Sequence, residues 1–188
     1  MRVPLIMTAA GLLAAPVSAQ SPGPAPTQTP SAGALLARIA QGAWAGAKRD
    51  IIESAAQMPE ADYGFKPAAS VRTFGQILAH VADSNYWYCA RSKGEPPPVP
   101  DGTLEKTATT KAAIVKVLSE SVTYCDAVYS SVTTETSADM VQAGNNRIPR
   151  VQPLFANASH NVEHYGNLIT YFRIKGMVPP STKREGGQ

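Results

Sequence analysis

No stretch of this sequence is long and apolar enough to span a bilayer as a mature helix; the nearest candidate, Leu5 through Ala15, is short and built largely from small side chains. Basic residues form no stripe. Arg38, Lys48, Arg91, Lys93, Lys111, Arg147 and Arg173 are scattered, which argues against neutralising a run of phosphates and so against nucleic-acid binding. Sustained period-two alternation is missing, and no Asn-Gly or Asp-Gly pair joins two apolar runs, so strand signals are weak throughout. No His-Glu-x-x-His occurs, because Asn161 follows His160, and the general-base Glu of zinc proteases is absent from its usual place. Internal repetition is not evident. The composition, 44% apolar and 16% charged over 188 residues, suits one globular domain rather than a collagen, a coiled coil or a wholly disordered chain.

The ends of the chain read differently from its middle. Arg2, the apolar run that follows and Val17-Ser18-Ala19 have the layout of a cleaved secretory signal over residues 1–19, with a retained anchor as the alternative. No cysteine follows the cleavage position, which disfavours a lipoprotein anchor. Removing the signal removes one basic residue, leaving 16 Lys plus Arg against 14 Asp plus Glu, so the mature charge is weakly positive and dispersed. Residues 20–30 carry four prolines in eleven positions and read as a disordered or polyproline spacer. Residues 181–188 are polar and read as a flexible tail. The expected location is the periplasm or the extracellular space, with no stable membrane insertion after cleavage.

Helical periodicity recurs four times between these ends. The first segment runs from Ala32 to Gln57, capped by Ser31 and stopped by Pro59, with Leu36, Ala40, Ala43, Ala47 and Ile51 as its apolar stripe. The second begins near Thr73, where Thr73 and Gln76 fit a capping box, and ends at Lys93-Gly94; Phe74, Ile77, Leu78, Val81 and Tyr88 are its apolar residues. The third starts between Leu104 and Thr110 and ends near Ser131, with Ile114, Val117, Leu118, Ser121, Cys125 and Val128 at three-and-four spacing. A polar loop with Gly144-Asn145-Asn146 follows. The fourth opens at Pro153 and continues to Lys175, with Gly176 as its stop and Leu154, Ala158, Val162, Tyr165, Ile169 and Phe172 as its apolar side. Four helices of this length predict an all-α bundle over residues 31–180.

The chain contains three histidines. His160 and His164, four residues apart on the fourth helix, stack on one face a turn apart, where two imidazoles can share a divalent ion. His80 lies mid-way along the second helix, near its apolar face. Glu163, Asp83, Asn157 and Asn161 are the sequence neighbours able to orient the second ring nitrogens. Three protein ligands would leave positions for water or substrate, the catalytic type of site. On these residues alone, a core histidine with one hydrogen bond and a coincidental surface pair remain the plainer alternative. Tyr86, Trp87 and Tyr88, two turns beyond His80, are candidates to wall a pocket or simply to fill the core.

Two segments carry a family resemblance. One is Arg72-Thr73-Phe74-Gly75-Gln76-Ile77-Leu78-Ala79-His80-Val81-Ala82-Asp83-Ser84, and the other runs from His160-Asn161-Val162-Glu163-His164 to Arg173, closing with Gly176-Met177-Val178-Pro179-Pro180. With the connector from Met58 to Pro67, they resemble the DinB/YfiT-like superfamily of small metalloproteins. The resemblance implies a four-helix bundle in up-down-down-up order, with a long crossover between the second and third helices. It also implies a divalent metal, zinc or nickel, on His80, His160 and His164. Members of known activity include thiol-dependent transferases and isomerases. A metal-dependent hydrolase or thiol transferase acting on a small molecule is therefore expected, possible also as a homodimer, with a non-catalytic metal- or ligand-binding bundle of the cell envelope as the alternative.

In that helix order the second and third helices run parallel. Cys89 and Cys125, the two cysteines of an exported chain, then fall at equal depth, each sixteen residues beyond a helix start at Thr73 or Thr109. A Cys89–Cys125 disulfide is expected, against the alternative of two buried thiols. The twelve residues from Ser92 to Thr103 reach about 40 Å extended, enough to return along a helix about 28 Å long.

Overall fold

The computed structural model describes residues 29–186. The signal read at 1–19 and most of the spacer read at 20–30 lie outside the described residues.

Six helices and one hairpin follow in chain order. Helix α1 spans Ala32–Gln57 and starts where Ser31 Oγ accepts from the Ala34 amide at 3.2 Å. A 3₁₀ turn at Glu60–Asp62 leads to α2, Phe74–Lys93. The expected capping box at its start is formed: Gln76 N donates to Thr73 Oγ1 at 3.1 Å and Thr73 N to Gln76 Oε1 at 2.9 Å. Gly94 ends α2 with φ of 73°, a left-handed cap that costs glycine no Cβ clash. The third predicted helix divides in two. A single turn, α3 (Leu104–Thr107), is separated from α4 (Lys111–Ser130) by extended Ala108 and by Thr110, whose side chain caps α4. Helix α5 spans Gln152–Ile174 with a proline in its first turn.

Residue pairs along the helices set their directions. Cys89 meets Cys125 and Asn85 meets Ser121, so α2 and α4 run parallel, as the equal-depth argument requires. Phe74 meets Phe172 and Asn85 meets Asn161, so α2 and α5 run antiparallel. Gln41 reaches the carbonyls of Tyr129 and Val132 while Lys111 reaches those of Ala56 and Met58, so α1 opposes α4. The order is up-down-down-up, with the crossover between α2 and α4.

Four features differ from the sequence expectation. The α1 stripe is Ala37, Ala40, Trp44, Ala47 and Ile51; Leu36 and Ala43 are exposed, and Trp44 takes an inward place with its ring stacked on Tyr129 at 4.9 Å. On α5, Val162 is exposed and Asn157 and Asn161 take the inward places. The loop after α4 holds a two-stranded hairpin, β1 (Met140–Ala143) and β2 (Asn146–Pro149), closed by Gly144-Asn145 with Gly144 at φ 63°. Gly-Asn is itself a two-residue hairpin signal, but strands of four residues, Met-Val-Gln-Ala and Asn-Arg-Ile-Pro, carry no apolar alternation to announce them. Finally, part of the segment read as a flexible tail is helical: α6 (Pro180–Glu185) is held by Arg184 ion pairs to Asp50 and Glu53 on α1 and by Tyr165 Oη on α5, which donates to Ser181 Oγ.

The core has two parts. One, around Phe74, Leu78, Leu118 and Phe172, fills the end of the bundle where α2 begins. The other, around Trp44, Cys89, Tyr129 and Leu154, fills the opposite end. Among the described residues no helix is long and apolar enough to cross a membrane.

Candidate metal centre

The constant antiparallel register of α2 and α5 is what assembles the histidines. With Phe74 opposite Phe172 and Asn85 opposite Asn161, His80 faces the stretch of α5 that carries His160 and His164. One ligand nitrogen from each ring lies within 4.8 Å of the others. The ring centroids of His80 stand 5.2 Å from His160 and 4.9 Å from His164. On α5 itself, the Nε2 atoms of His160 and His164 approach to 3.1 Å. Two nitrogens bound to one ion at 2.0–2.1 Å stand about 3–3.4 Å apart in octahedral or tetrahedral geometry, so this spacing suits a shared cation.

Electrostatics keep the three rings in the ligand form. His164 is buried, and its pKa is lowered from the usual value to about 3, first by burial, then by His160, His80 and Arg72. His160 is lowered by burial and by His80, and His80 by burial and by Arg72, with Glu105 opposing the shift at His80. Neutral imidazoles offer a lone pair to a metal; protonated ones do not.

The neighbours that orient the rings are not those expected from sequence proximity. Glu105 Oε2 lies 3.5 Å from His80 Nδ1, near enough for its charge to favour the proton on that nitrogen. Asn167 meets His164 Nδ1 at 3.4 Å, a contact at which a side-chain amide can present either end. His160 Nδ1 is buried without a hydrogen-bond partner among the described residues. Asp83 instead accepts the amides of Leu104 and Glu105, at 2.9 Å each. It thereby ties α3 to α2 one turn beyond His80 and places Glu105 beside the ring. Asn161 donates to Asn85 Oδ1 at 3.0 Å, and Asn157 touches both disulfide sulfurs at 3.8 Å. Glu163 is exposed and meets His160 only through its charge. Glu105 lies twenty-five residues from His80, in the crossover, where no local pattern marks it.

Two cavities open on the cluster from different sides. One of about 790 Å³ is lined by Lys66, Arg72, Gln76, Glu105, His164 and Asn167, among others. A smaller one of about 240 Å³ is lined by His80, Ser84, Trp87, Tyr88, Asp101 and His160. Trp87 and Tyr88 thus wall a pocket, and the Tyr88 ring stands 5.7 Å from that of His160. Tyr86 turns the other way, onto Tyr124 at 5.4 Å.

The expected Cys89–Cys125 disulfide is present, with 5.5 Å between Cα atoms, and joins α2 to α4 beyond the histidine level.

Comparison with known proteins points one way. The model of the DinB superfamily matches residues 43–168. A DinB-like protein from Bacillus cereus superposes with a TM-score of 0.60 at 15% identity, covering 75% of this chain and 93% of its own. A DinB-like protein from Bacillus subtilis gives a TM-score of 0.58 at 16% identity, covering 74% and 93%. The mycothiol-dependent maleylpyruvate isomerase gives 0.57 at 14% identity, covering 70% of this chain, which spans 60% of the isomerase's length. No curated protein sequence matches significantly.

Proposed function

Because the chain belongs to the DinB superfamily, we propose that His80, His160 and His164 hold one divalent cation, zinc or nickel, in a metal-dependent enzyme that acts on a small molecule by thiol transfer or hydrolysis. The observation that carries this reading is the inward approach of the two α5 imidazoles, Nε2 to Nε2 at 3.1 Å, with His80 closing the third side. A hydrogen bond between the two rings would account for their approach to each other; the presence of the third imidazole at the same point favours a shared cation.

The chain's own residues divide the work. Glu105, 3.5 Å from His80 Nδ1, favours the proton on that nitrogen through its charge and so leaves Nε2 as the ligand atom. Trp87 and Tyr88 give the His160 side an aromatic wall. The larger cavity beside His164 gives a small molecule room to approach. A divalent cation, when bound, supplies Lewis acidity to that molecule. The open cavities favour an enzyme over a purely bracing metal. The isomerase named above depends on mycothiol; for this chain the thiol reading extends only to the reaction class.

Elemental analysis of the purified protein tests the reading: about one zinc or nickel per chain is expected, and full-length protein that retains none after incubation with either ion would overturn it. Export is part of the same proposal, supported by the signal layout at residues 1–19 and by a disulfide that suits an oxidising compartment. Mass analysis of the secreted or periplasmic chain is expected to begin at Gln20; an intact Met1 in soluble cytoplasmic protein would refute export.

A further inference from the structure

The larger cavity carries a charge pattern that the metal alone leaves unexplained. Arg72 and Lys66 line it together with one acid, Glu105, so its lining is left with one positive charge. Arg72 is anchored at two points. Its Nε donates to Glu105 Oε1 at 2.8 Å, and its carbonyl accepts the Tyr171 hydroxyl. The two terminal guanidinium nitrogens make no hydrogen bond among the described residues, and the side chain is 42% exposed. Lys66 Nζ donates to the Ala69 carbonyl at 3.0 Å and pairs with no carboxylate among the described residues.

The position of this guanidinium matters as much as its charge. Glu105 uses one oxygen for Arg72 and the other for His80. A single carboxylate therefore separates Arg72 from the metal centre, and His164 lines the same cavity. A planar guanidinium held at Nε presents its remaining donors as a fork suited to a carboxylate. Gln76, Ser70 and Thr170 add neutral polar groups to the wall and no further charge.

We propose that this cavity is the substrate site and that it selects a small molecule bearing a carboxylate, bound by Arg72 and Lys66, whose reacting group faces the three histidines. The inference rests on the metal reading above.

Cobalt(II) loading followed by thiol titration tests both layers separately. Cobalt uptake, read from its visible spectrum, reports the three-histidine site. A thiolate ligand then adds a charge-transfer band, and three probes differ in their far end: 3-mercaptopropionate, 2-mercaptoethanol and cysteamine. The carboxylate probe is expected to bind about tenfold more tightly than the alcohol, as charged hydrogen bonds exceed neutral ones, with the amine weakest. Ordinary thiol acidity would favour the amine, so the expected order runs against it. Arg72→Gln and Lys66→Gln are each expected to shrink the carboxylate preference, and the double variant to erase it, with cobalt still taken up by the free protein. Equal affinities for the three probes, an order led by cysteamine, or a preference that survives the double variant would overturn the carboxylate site while leaving the metal centre standing. Failure to take up cobalt would overturn both.

Discussion

Nine residues along α2 separate His80 from Cys89, about 13 Å of helix, and the two levels are finished in opposite ways. At the cysteine level, α2 is bonded covalently to α4, and Asn157 of α5 fills the space against both sulfurs. Tyr129 Oη there donates to the Leu154 carbonyl at 2.6 Å, and Trp44 stacks on its ring. At the histidine level no covalent bond joins the helices, His160 Nδ1 lacks a partner among the described residues, and cavities open on two sides. Between the levels lies a buried bridge, Asn161 to Asn85 to Ser121, that joins α5, α2 and α4. The difference teaches a division of labour within one bundle. One level restricts the relative motion of the helices, and the other spends that rigidity on holding three nitrogens whose geometry must be kept within a fraction of an ångström.

This contrast can be broken first at the histidines. His164→Ala removes the most buried ring, and bound metal is expected to fall more than about hundredfold in affinity, a larger loss than orienting residues produce; competition with a chromophoric chelator measures it. At neutral pH the melting temperature of the metal-free protein should fall slightly, because a neutral buried ring leaves a small cavity, and the variant should gain on wild type only in acid, where burial disfavours the charge of that ring. Metal retained at wild-type affinity would remove His164 from the site. The second break is at the other level. Converting Cys89 and Cys125 together to Ala is expected to cost about 2–4 kcal/mol of stability in denaturant titration, given the 36-residue separation they span. Metal stoichiometry should survive in the folded fraction, and its loss would show that the two levels are not separable.

Two smaller effects sharpen the comparison. Glu105→Gln keeps all three imidazoles and removes the charge that orients one, so metal affinity should fall about 10–100-fold. An unchanged affinity would mean that His80 needs no help. Acid should act on the histidine level alone. Each ring has a folded pKa below its unfolded value, so the unfolded chain binds protons first, and stability falls with pH. For the metal-free protein the loss begins near the ordinary histidine pKa of about 6.5 and, for His164, is complete only near about 3. Thermal melts of wild type and of a triple His→Ala variant across that range check this, since parallel curves would place the acid sensitivity elsewhere.

Much of this contrast is visible before folding is considered. The spacing of His160 and His164 makes them neighbours on any helix, and the equal depth of Cys89 and Cys125 predicts their bond once α2 and α4 are parallel. The expected acceptors fared worse. Asp83 lies three residues from His80 and turns to cap α3, whereas Glu105, far along the chain, reaches the ring. Asn157 and Asn161 occupy core positions that hydrophobicity assigns to Val162, because their amide nitrogens find acceptors between the helices. The hairpin after α4 escaped for want of apolar alternation, and α6 because its anchors, Asp50 and Glu53, lie on the first helix.

Local chemistry thus determined the helices, their caps and which residues share a face, since these depend on near neighbours and on periods of three and four. It determined the residue types of the centre as well. Only the tertiary structure decided that His80 meets the α5 pair, that Glu105 and Arg72 stand beside them, and that two cavities open there. Those relations depend on the register between α2 and α5 and on the course of the crossover, which are set by the packing of the whole bundle and are written in no single segment of chain.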